Sequence, residues 1–239
     1  MHSTFRNLSP PFATFSIYVI LTLSFVVPAS GQESPTVQIF PPDSNPFGLP
    51  YQSYIMKTWE RSYELDEDEN PLLDSTGERC NNGQDPNSPV FILVATAGGN
   101  SERTCEIPAG KGLLIEVVSV AASFAETTHP ESATIDELYN ITKNDQDNVE
   151  VKMLMINGQK FNELHKYRFV TEPFNISFPP NNIWGVDAGN STAVAEGYFV
   201  ITEPLAPGKY DIRTTGKVGC TGQGCDPYAT GVKYNLIVE

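Results

Sequence analysis

The sequence predicts a mainly β protein, an antiparallel β-sandwich of the jelly-roll or immunoglobulin-like type, with one aromatic amphipathic helix and one short second helix. Three observations lead to this prediction. Short apolar or alternating runs recur from residue 89 to the end of the chain, turn residues separate them at close spacing, and only two segments carry a helical period. Many short strands joined by close turns are typical of two packed antiparallel sheets.

The aromatic helix is predicted from residue 51 onward. Tyr51, Ile55, Trp59 and Tyr63 recur every four residues, and Pro50 stands where the first helical turn begins. A four-residue period places these side chains on one helix face, and proline is well tolerated at a helix start. We expect this face to pack on a sheet, because large aromatic side chains bury much apolar surface.

The second helix and the strands follow from the same periodicities. Residues 134–143 place Ile135, Leu138 and Tyr139 on one side of a helix. The segments expected to be strands are 36–40, 90–97, 103–107, 113–122, 150–156, a run starting at 159, 166–171, 174–178, 193–202, 209–215 and 232–238.

Two turns predict specific strand pairs. Gly98-Gly99-Asn100 predicts a hairpin between the strands at 90–97 and 103–107, which 113–122 would continue as a meander. Asn157-Gly158 is the strongest short hairpin signal in the chain, since both residues tolerate the positive φ that a type I′ turn requires.

The N-terminus predicts export. Residues 1–31 place Arg6 before an apolar run that ends in Pro28-Ala29-Ser30-Gly31, which is the order of a signal peptide. An uncleaved membrane anchor is the alternative. Residues 32–49 then form a proline-rich lead and residues 50–239 a single β-sandwich domain, since all-β domains of this length often have one core. The expected location is secreted or at the cell surface.

The net charge limits the classes of partner that the protein is expected to bind. The chain has 15 Lys plus Arg against 29 Asp plus Glu, a formal net charge of −14. Such a chain repels phosphate backbones and anionic lipid headgroups. We therefore expect no nucleic-acid partner and no membrane contact beyond the signal or anchor. The expected partner is an extracellular ligand or a cell-surface component.

Four cysteines lie beyond the apolar N-terminus. Nearest-neighbour pairing would join Cys80 to Cys105 and Cys220 to Cys225, although four cysteines allow three pairings. An oxidising compartment lets such bridges persist. A Cys₄ zinc site is the alternative, but it normally needs a close cysteine pair in each half, which only the second pair approaches.

No catalytic motif stands out, and the sequence predicts no catalytic residue. It lacks His-Glu-x-x-His, Gly-x-Ser-x-Gly and the phosphate-binding glycine loops. Glu163 and His165 would share one strand face, where a surface charge pair explains them. For a polysaccharide hydrolase using paired carboxylates, the candidates are Glu78, Glu116 and Glu126. Glu116 lies on an apolar strand, where a buried salt bridge or an edge position would explain it.

An acidic loop is the candidate calcium site. Residues 66–69, Asp74 and Glu78 offer hard oxygen ligands at short intervals. The loop departs from an EF-hand, because Pro71 stands where glycine is needed and Gly77 where the bidentate Glu belongs. No cofactor is expected, and calcium is the one exception left open.

Three sequons predict glycosylation at Asn140, Asn175 and Asn190 in a host that attaches N-glycans. Trp184 lies in the polar stretch 179–197 next to the last of them. We expect it to close one end of the sandwich, and contact with a ligand is the alternative.

Several segments resemble a family of exported proteins from archaea and bacteria, including ammonia-oxidising archaea. The resemblance is carried by residues 51–59, 76–80 with Gln84, 102–111, 123–126, 167–168 and 205–209. It implies export and a β-sandwich, and it brings no established activity and no catalytic residue.

The function expected from the sequence is that of an exported, non-enzymatic β-sandwich protein at the cell surface or secreted, with a structural or binding role. Two alternatives stay open. One is the extracellular polysaccharide hydrolase with paired carboxylates, and the other is a calcium-stabilised adhesion module.

Overall fold

The computed structural model describes residues 36–219 and 227–239, which form two five-stranded sheets and two α-helices and confirm the predicted mainly β sandwich. The helices are α1 (Tyr51–Glu64) and α2 (Ile135–Asp147). The strands are β1 (Val90–Leu93), β2 (Gly99–Ile107), β3 (Gly112–Ser123), β4 (Val149–Ile156), β5 (Gln159–Lys160), β6 (Arg168–Val170), β7 (Phe174–Phe178), β8 (Gly189–Ile201), β9 (Gly208–Val218) and β10 (Tyr228–Val238).

The two sheets share one apolar core. The first sheet has the order β1-β3-β8-β6, with β7 also paired to β8, and the second has the order β2-β10-β9-β4-β5. Gly216 allows close approach between them, because a Cβ there would lie 2.4 Å from Cβ of Val118. Within the described residues, no helix is long and apolar enough to cross a membrane.

Helix α1 begins where the sequence predicts and buries its aromatic face. Tyr51, Ile55, Trp59 and Tyr63 are all buried, and the helix packs on β7 and β8. Half-buried Trp184 lies against this face, with its ring centroid 4.6 Å from that of Tyr63. The helix therefore covers the outer side of the first sheet.

Helix α2 covers the other side of β8 and β3 at one end of the sandwich. The Thr134 side chain caps it by accepting a hydrogen bond from Glu137 N, and the helix continues to Asp147 rather than ending at 143. Leu138 packs with Ala122 and Val194 in a second small apolar cluster. The prediction of a short second helix is confirmed.

The predicted hairpin between the strands at 90–97 and 103–107 is wrong. Strand β1 pairs parallel with β3 in the first sheet, whereas β2 pairs parallel with β10 in the second. The segment between β1 and β2 therefore crosses from one sheet to the other, and no meander forms. Two parallel pairs thus depart from an otherwise antiparallel sandwich.

A buried arginine explains the crossing. Arg103 is 1% exposed, and its guanidinium donates to the carbonyls of Asp74 (2.7 Å) and Val94 (2.8 Å) and to the Tyr234 hydroxyl (2.8 Å). The Ala95 carbonyl receives two longer bonds of 3.4 Å from the same group. Because the carbonyls of the crossing segment bind a side chain, they do not extend the β1 ladder.

A second buried arginine, Arg61 of α1, binds the backbone of the segment that leads into β1. Its guanidinium donates to the carbonyls of Cys80 (3.1 Å) and Asn82 (2.5 Å). Burial lowers the pKa of Arg61 to about 10. The neighbouring Gln84 amide donates to Ile92 O (2.8 Å) and accepts from Ile92 N (3.1 Å), so a side chain satisfies the outer edge of β1.

Glu116 is buried without being on an edge strand or in a direct ion pair among the described residues. It lies on β3 between β1 and β8, beside a β-bulge, and is 4% exposed. Its carboxylate accepts from Ala95 N (3.0 Å) and Ser119 Oγ (2.5 Å). Burial raises the pKa of Glu116 even though these bonds, Arg103 and Arg61 oppose the rise.

The other local predictions differ in outcome. The Asn157-Gly158 hairpin is confirmed, with φ of 50° and 78° between β4 and β5. The lead strand at 36–40 is reduced to a single bridge between Ile39 and Thr202. The strand expected at 166–171 is shortened to β6, because the preceding Asn162–Lys166 segment forms a 3₁₀ helix.

One predicted disulfide is present. Cys80 and Cys105 are bonded, which joins the loop after α1 to strand β2. Cys220 and Cys225 lie outside the described residues, as does the signal peptide predicted for residues 1–31.

Candidate binding groove

The outer face of the second sheet presents polar side chains from neighbouring strands. On β9, Lys209, Asp211 and Arg213 point outward while the residues between them are buried. Asn235 of β10 lies in register with Asp211 on one side and Thr104 of β2 on the other. Since alternate residues of a strand share a face, the side chains on these three strands form one surface.

A groove with a volume of about 500 Å³ lies on this face at its Asn157-Gly158 end. The volume falls within the range of roughly 300 to 1,000 Å³ found for small-molecule sites. Both α-helices pack chiefly on strands of the first sheet and so leave the groove open. The polar residues that line it are Thr104, Asn157, Lys209, Asp211, Arg213 and Asn235.

An ion pair with two hydrogen bonds orients the side chains of Arg213 and Asp211 in the groove. Arg213 donates to both carboxylate oxygens of Asp211, from Nε at 2.9 Å and from Nη2 at 3.2 Å. Hydrogen bonding to Asp211 raises the pKa of Arg213. A guanidinium has five N–H donors, and this pair uses two, so three remain for a ligand.

The turn and the neighbouring strand complete the groove. Asp211 N donates to Asn157 Oδ1 (3.0 Å), and Asn157 N donates to Asp211 O (2.7 Å), which ties the hairpin turn to β9. Asn235 Nδ2 donates to Glu102 Oε1 (2.9 Å), an oxygen that Lys233 also binds at 2.5 Å. Hydrogen bonds to Lys233 and Asn235 lower the pKa of Glu102. The groove thus has donors and acceptors held side by side on strands β9 and β10 and on the tight turn that is hydrogen-bonded to β9.

The three carboxylates considered for a hydrolase are not brought together in this groove. Glu78 is exposed on a loop, and Glu116 is buried in β3. Glu126 accepts from the Tyr63 hydroxyl (2.8 Å) and from Ser123 Oγ (2.7 Å), and burial raises its pKa despite these bonds. Each carboxylate has a different local environment, and none of them lines the groove.

The acidic loop uses its central carboxylate internally. Asp74 accepts from the backbone N–H groups of Thr76 (2.9 Å), Gly77 (2.9 Å) and Arg79 (3.0 Å). Burial alone would raise the pKa of Asp74, but these three bonds and Arg103 lower it. In residues 36–219 and 227–239, no three His, Cys, Asp or Glu side chains are grouped so that they could hold a metal ion.

The prediction that Glu163 and His165 share one face of a strand is wrong. Both residues lie in a 3₁₀ helix rather than on one face of a strand, and Glu163 pairs with Lys166. The three sequon asparagines, Asn140, Asn175 and Asn190, all have exposed side chains.

No local sequence motif marks the groove residues. They come from β2, the β4–β5 turn, β9 and β10, so their separation along the chain spans more than half of the described domain. The one usable signal is the alternation of polar and apolar residues along β9, which predicts an outward face without showing that it forms a groove.

In comparisons with known proteins, no family model, no curated protein and no solved structure matches the chain.

Proposed function

We propose that the protein is an exported, non-enzymatic β-sandwich, secreted or held at the cell surface, that binds an extracellular neutral polysaccharide through the groove on its second sheet. The single observation that carries the proposal is the groove itself, in which Arg213, Asp211 and Asn235 present fixed donors and acceptors. Export is supported by the apolar segment at residues 1–31 and by the Cys80–Cys105 disulfide.

The chemistry of the groove favours a polyhydroxyl ligand. Each sugar hydroxyl both donates and accepts a hydrogen bond, and adjacent guanidinium, carboxylate and amide groups offer both partners within one small area. Strands hold such groups more rigidly than loops do, which reduces the entropy lost on binding.

The overall charge favours a neutral polymer over an anionic one. The chain carries a formal net charge of −14, so a polyanion would be repelled at long range. Within the groove, Asp211 offsets Arg213, so Lys209 contributes the single excess positive charge of the lining, which is small beside the net charge of the whole chain.

Titration calorimetry with soluble β-glucan, xylan and mannan tests the proposal. We expect one of these to bind, and Arg213→Ala and Asn235→Ala each to weaken binding at least tenfold, since each removes a bond that is worth about 1.4 kcal/mol or more when made to a ligand. The matched control is Lys217→Ala, which lies on the same strand, is also exposed and also forms one ion pair, but does not line the groove.

The control should bind as the wild type does. The proposal fails if none of the three polymers binds, or if Lys217→Ala weakens binding as much as Arg213→Ala.

A further inference from the structure

Two of the sequons lie directly opposite each other in the first sheet. The register of β7 and β8 pairs Asn175 with Thr192 and Ser177 with Asn190, so each acceptor asparagine faces the hydroxyl residue of the other sequon. Asn175 and Asn190 are therefore diagonal neighbours, at a separation of about 7 to 8 Å for such pairs. The two sequons are fifteen residues apart in the sequence, but they lie side by side on neighbouring strands of the folded protein.

The four residues share one accessible face. Asn175, Ser177 and Asn190 are exposed and Thr192 is half-buried, while Ile176 between the first two is 2% exposed and points into the core. Alternate strand residues lie on the same side of a sheet, so both side-chain amides point away from the α1 side.

Strand β7 also has a free edge. Among the described strands it pairs only with β8, and its sequence Phe-Asn-Ile-Ser-Phe alternates apolar and polar residues. An unpaired edge of this kind is a template for association with a second chain, and proteins normally block it. Neither a proline nor a charged residue blocks it between Phe174 and Phe178.

We propose that Asn175 and Asn190 carry N-linked glycans that together shield the free edge of β7. This inference rests on the export that belongs to the proposed function. In the modification, the asparagine side-chain nitrogen attacks the anomeric carbon of a lipid diphosphate-linked oligosaccharide. The glycosyl–phosphate bond breaks, the lipid diphosphate leaves, and the amide proton passes to a base of the transferase.

The position of the sequons sets the order of events. The β7–β8 ladder fixes the backbone of both sequons, so transfer precedes pairing of the two strands. A glycan is bulky and hydrophilic, and two of them on diagonal positions cover the edge more completely than either one alone.

The test uses the full chain expressed in a eukaryotic cell line with a secretory pathway, with glycopeptide mass spectrometry of the secreted protein. We expect glycans on both Asn175 and Asn190, and a loss of two glycan masses in the double variant Asn175→Gln/Asn190→Gln. On mild heating, light scattering should show at least twice as much aggregate for this variant as for the wild type.

Asn140→Gln is the matched control, because Asn140 is an exposed sequon on α2 rather than on β7 or its partner strand β8. It should aggregate as the wild type does. Unmodified Asn175 and Asn190 in the secreted protein, or equal aggregation of the double variant and the control, would overturn the inference while leaving groove binding untouched. A chain retained inside the cell and unmodified at all three sequons would instead refute export, and this inference with it.

Discussion

Arg103 is the buried charge on which the path between the two sheets depends, and Arg103→Met removes its donors while keeping an unbranched side chain. In the variant, the carbonyls of Asp74 and Ala95 lose the guanidinium, whereas Val94 O keeps the Tyr234 hydroxyl at 2.5 Å. Each buried carbonyl left without a donor costs about 1 to 3 kcal/mol.

Loss of the cation has a second cost. Arg103 is one of the two guanidiniums that lower the pKa of buried Glu116, so its removal leaves that carboxylate less compensated. The two unpaired carbonyls together cost about 2 to 6 kcal/mol, and the less compensated Glu116 adds to this. We therefore expect Arg103→Met to lower the free energy of unfolding by at least about 2 kcal/mol, which is a large part of the stability of a domain of this size.

Urea unfolding at pH 7, followed by tryptophan fluorescence with the disulfide intact, measures the effect. The control is Arg213→Met, the same substitution at an exposed arginine, for which we expect a change within about 0.5 kcal/mol. Arg103→Lys keeps the charge and part of the hydrogen bonding, so it should fall between the wild type and Arg103→Met.

The reasoning is refuted if Arg103→Met unfolds within about 1 kcal/mol of Arg213→Met with an unchanged denaturant slope. If Arg103→Met does not fold at all, the lysine variant supplies the comparison, and a lysine variant as stable as the wild type would refute the reasoning equally.

Two further predictions concern the disulfide and the buried carboxylate. Cys80→Ser/Cys105→Ser opens a loop with a sequence separation of 25, so the free energy of unfolding should fall by about 3.5 kcal/mol in the chain-entropy model, and an unchanged urea midpoint would contradict this. For Glu116, the folded-state pKa is raised, so its contribution to stability is present at low pH and is lost as pH rises through that pKa. The stability of Glu116→Gln relative to the wild type should therefore increase between pH 4 and pH 7, and parallel pH profiles for the two proteins would contradict the prediction.

Local features of the fold could be predicted because neighbouring residues decide them. The four-residue aromatic period of α1 is visible in the chain and reappears as its buried face. The Asn157-Gly158 turn has the backbone conformation that its residue types favour. The sequence favours the pairing of Cys80 with Cys105 because it is the local one, and the structure contains this bond.

Strand pairing could not be predicted in the same way. An apolar run followed by glycines predicts a hairpin from local sequence alone. The same pattern also occurs where the two strands separate into different sheets. Here the carbonyls after β1 bind Arg103, and β2 finds its partner in β10, more than 120 residues later. Nothing in the sequence near β2 identifies that partner.

The candidate site shows the same division. The sequence by itself determined the outward alternation on β9, the sequons and the acidic charge, because each depends on residue type and local spacing. Only the tertiary structure decided that Asn157, Arg213 and Asn235 share a groove, that Asn175 faces Thr192, and that Glu116 is enclosed. The physical reason is that sheet register and burial arise from contacts between distant segments, and those contacts are set by the packing of the whole core.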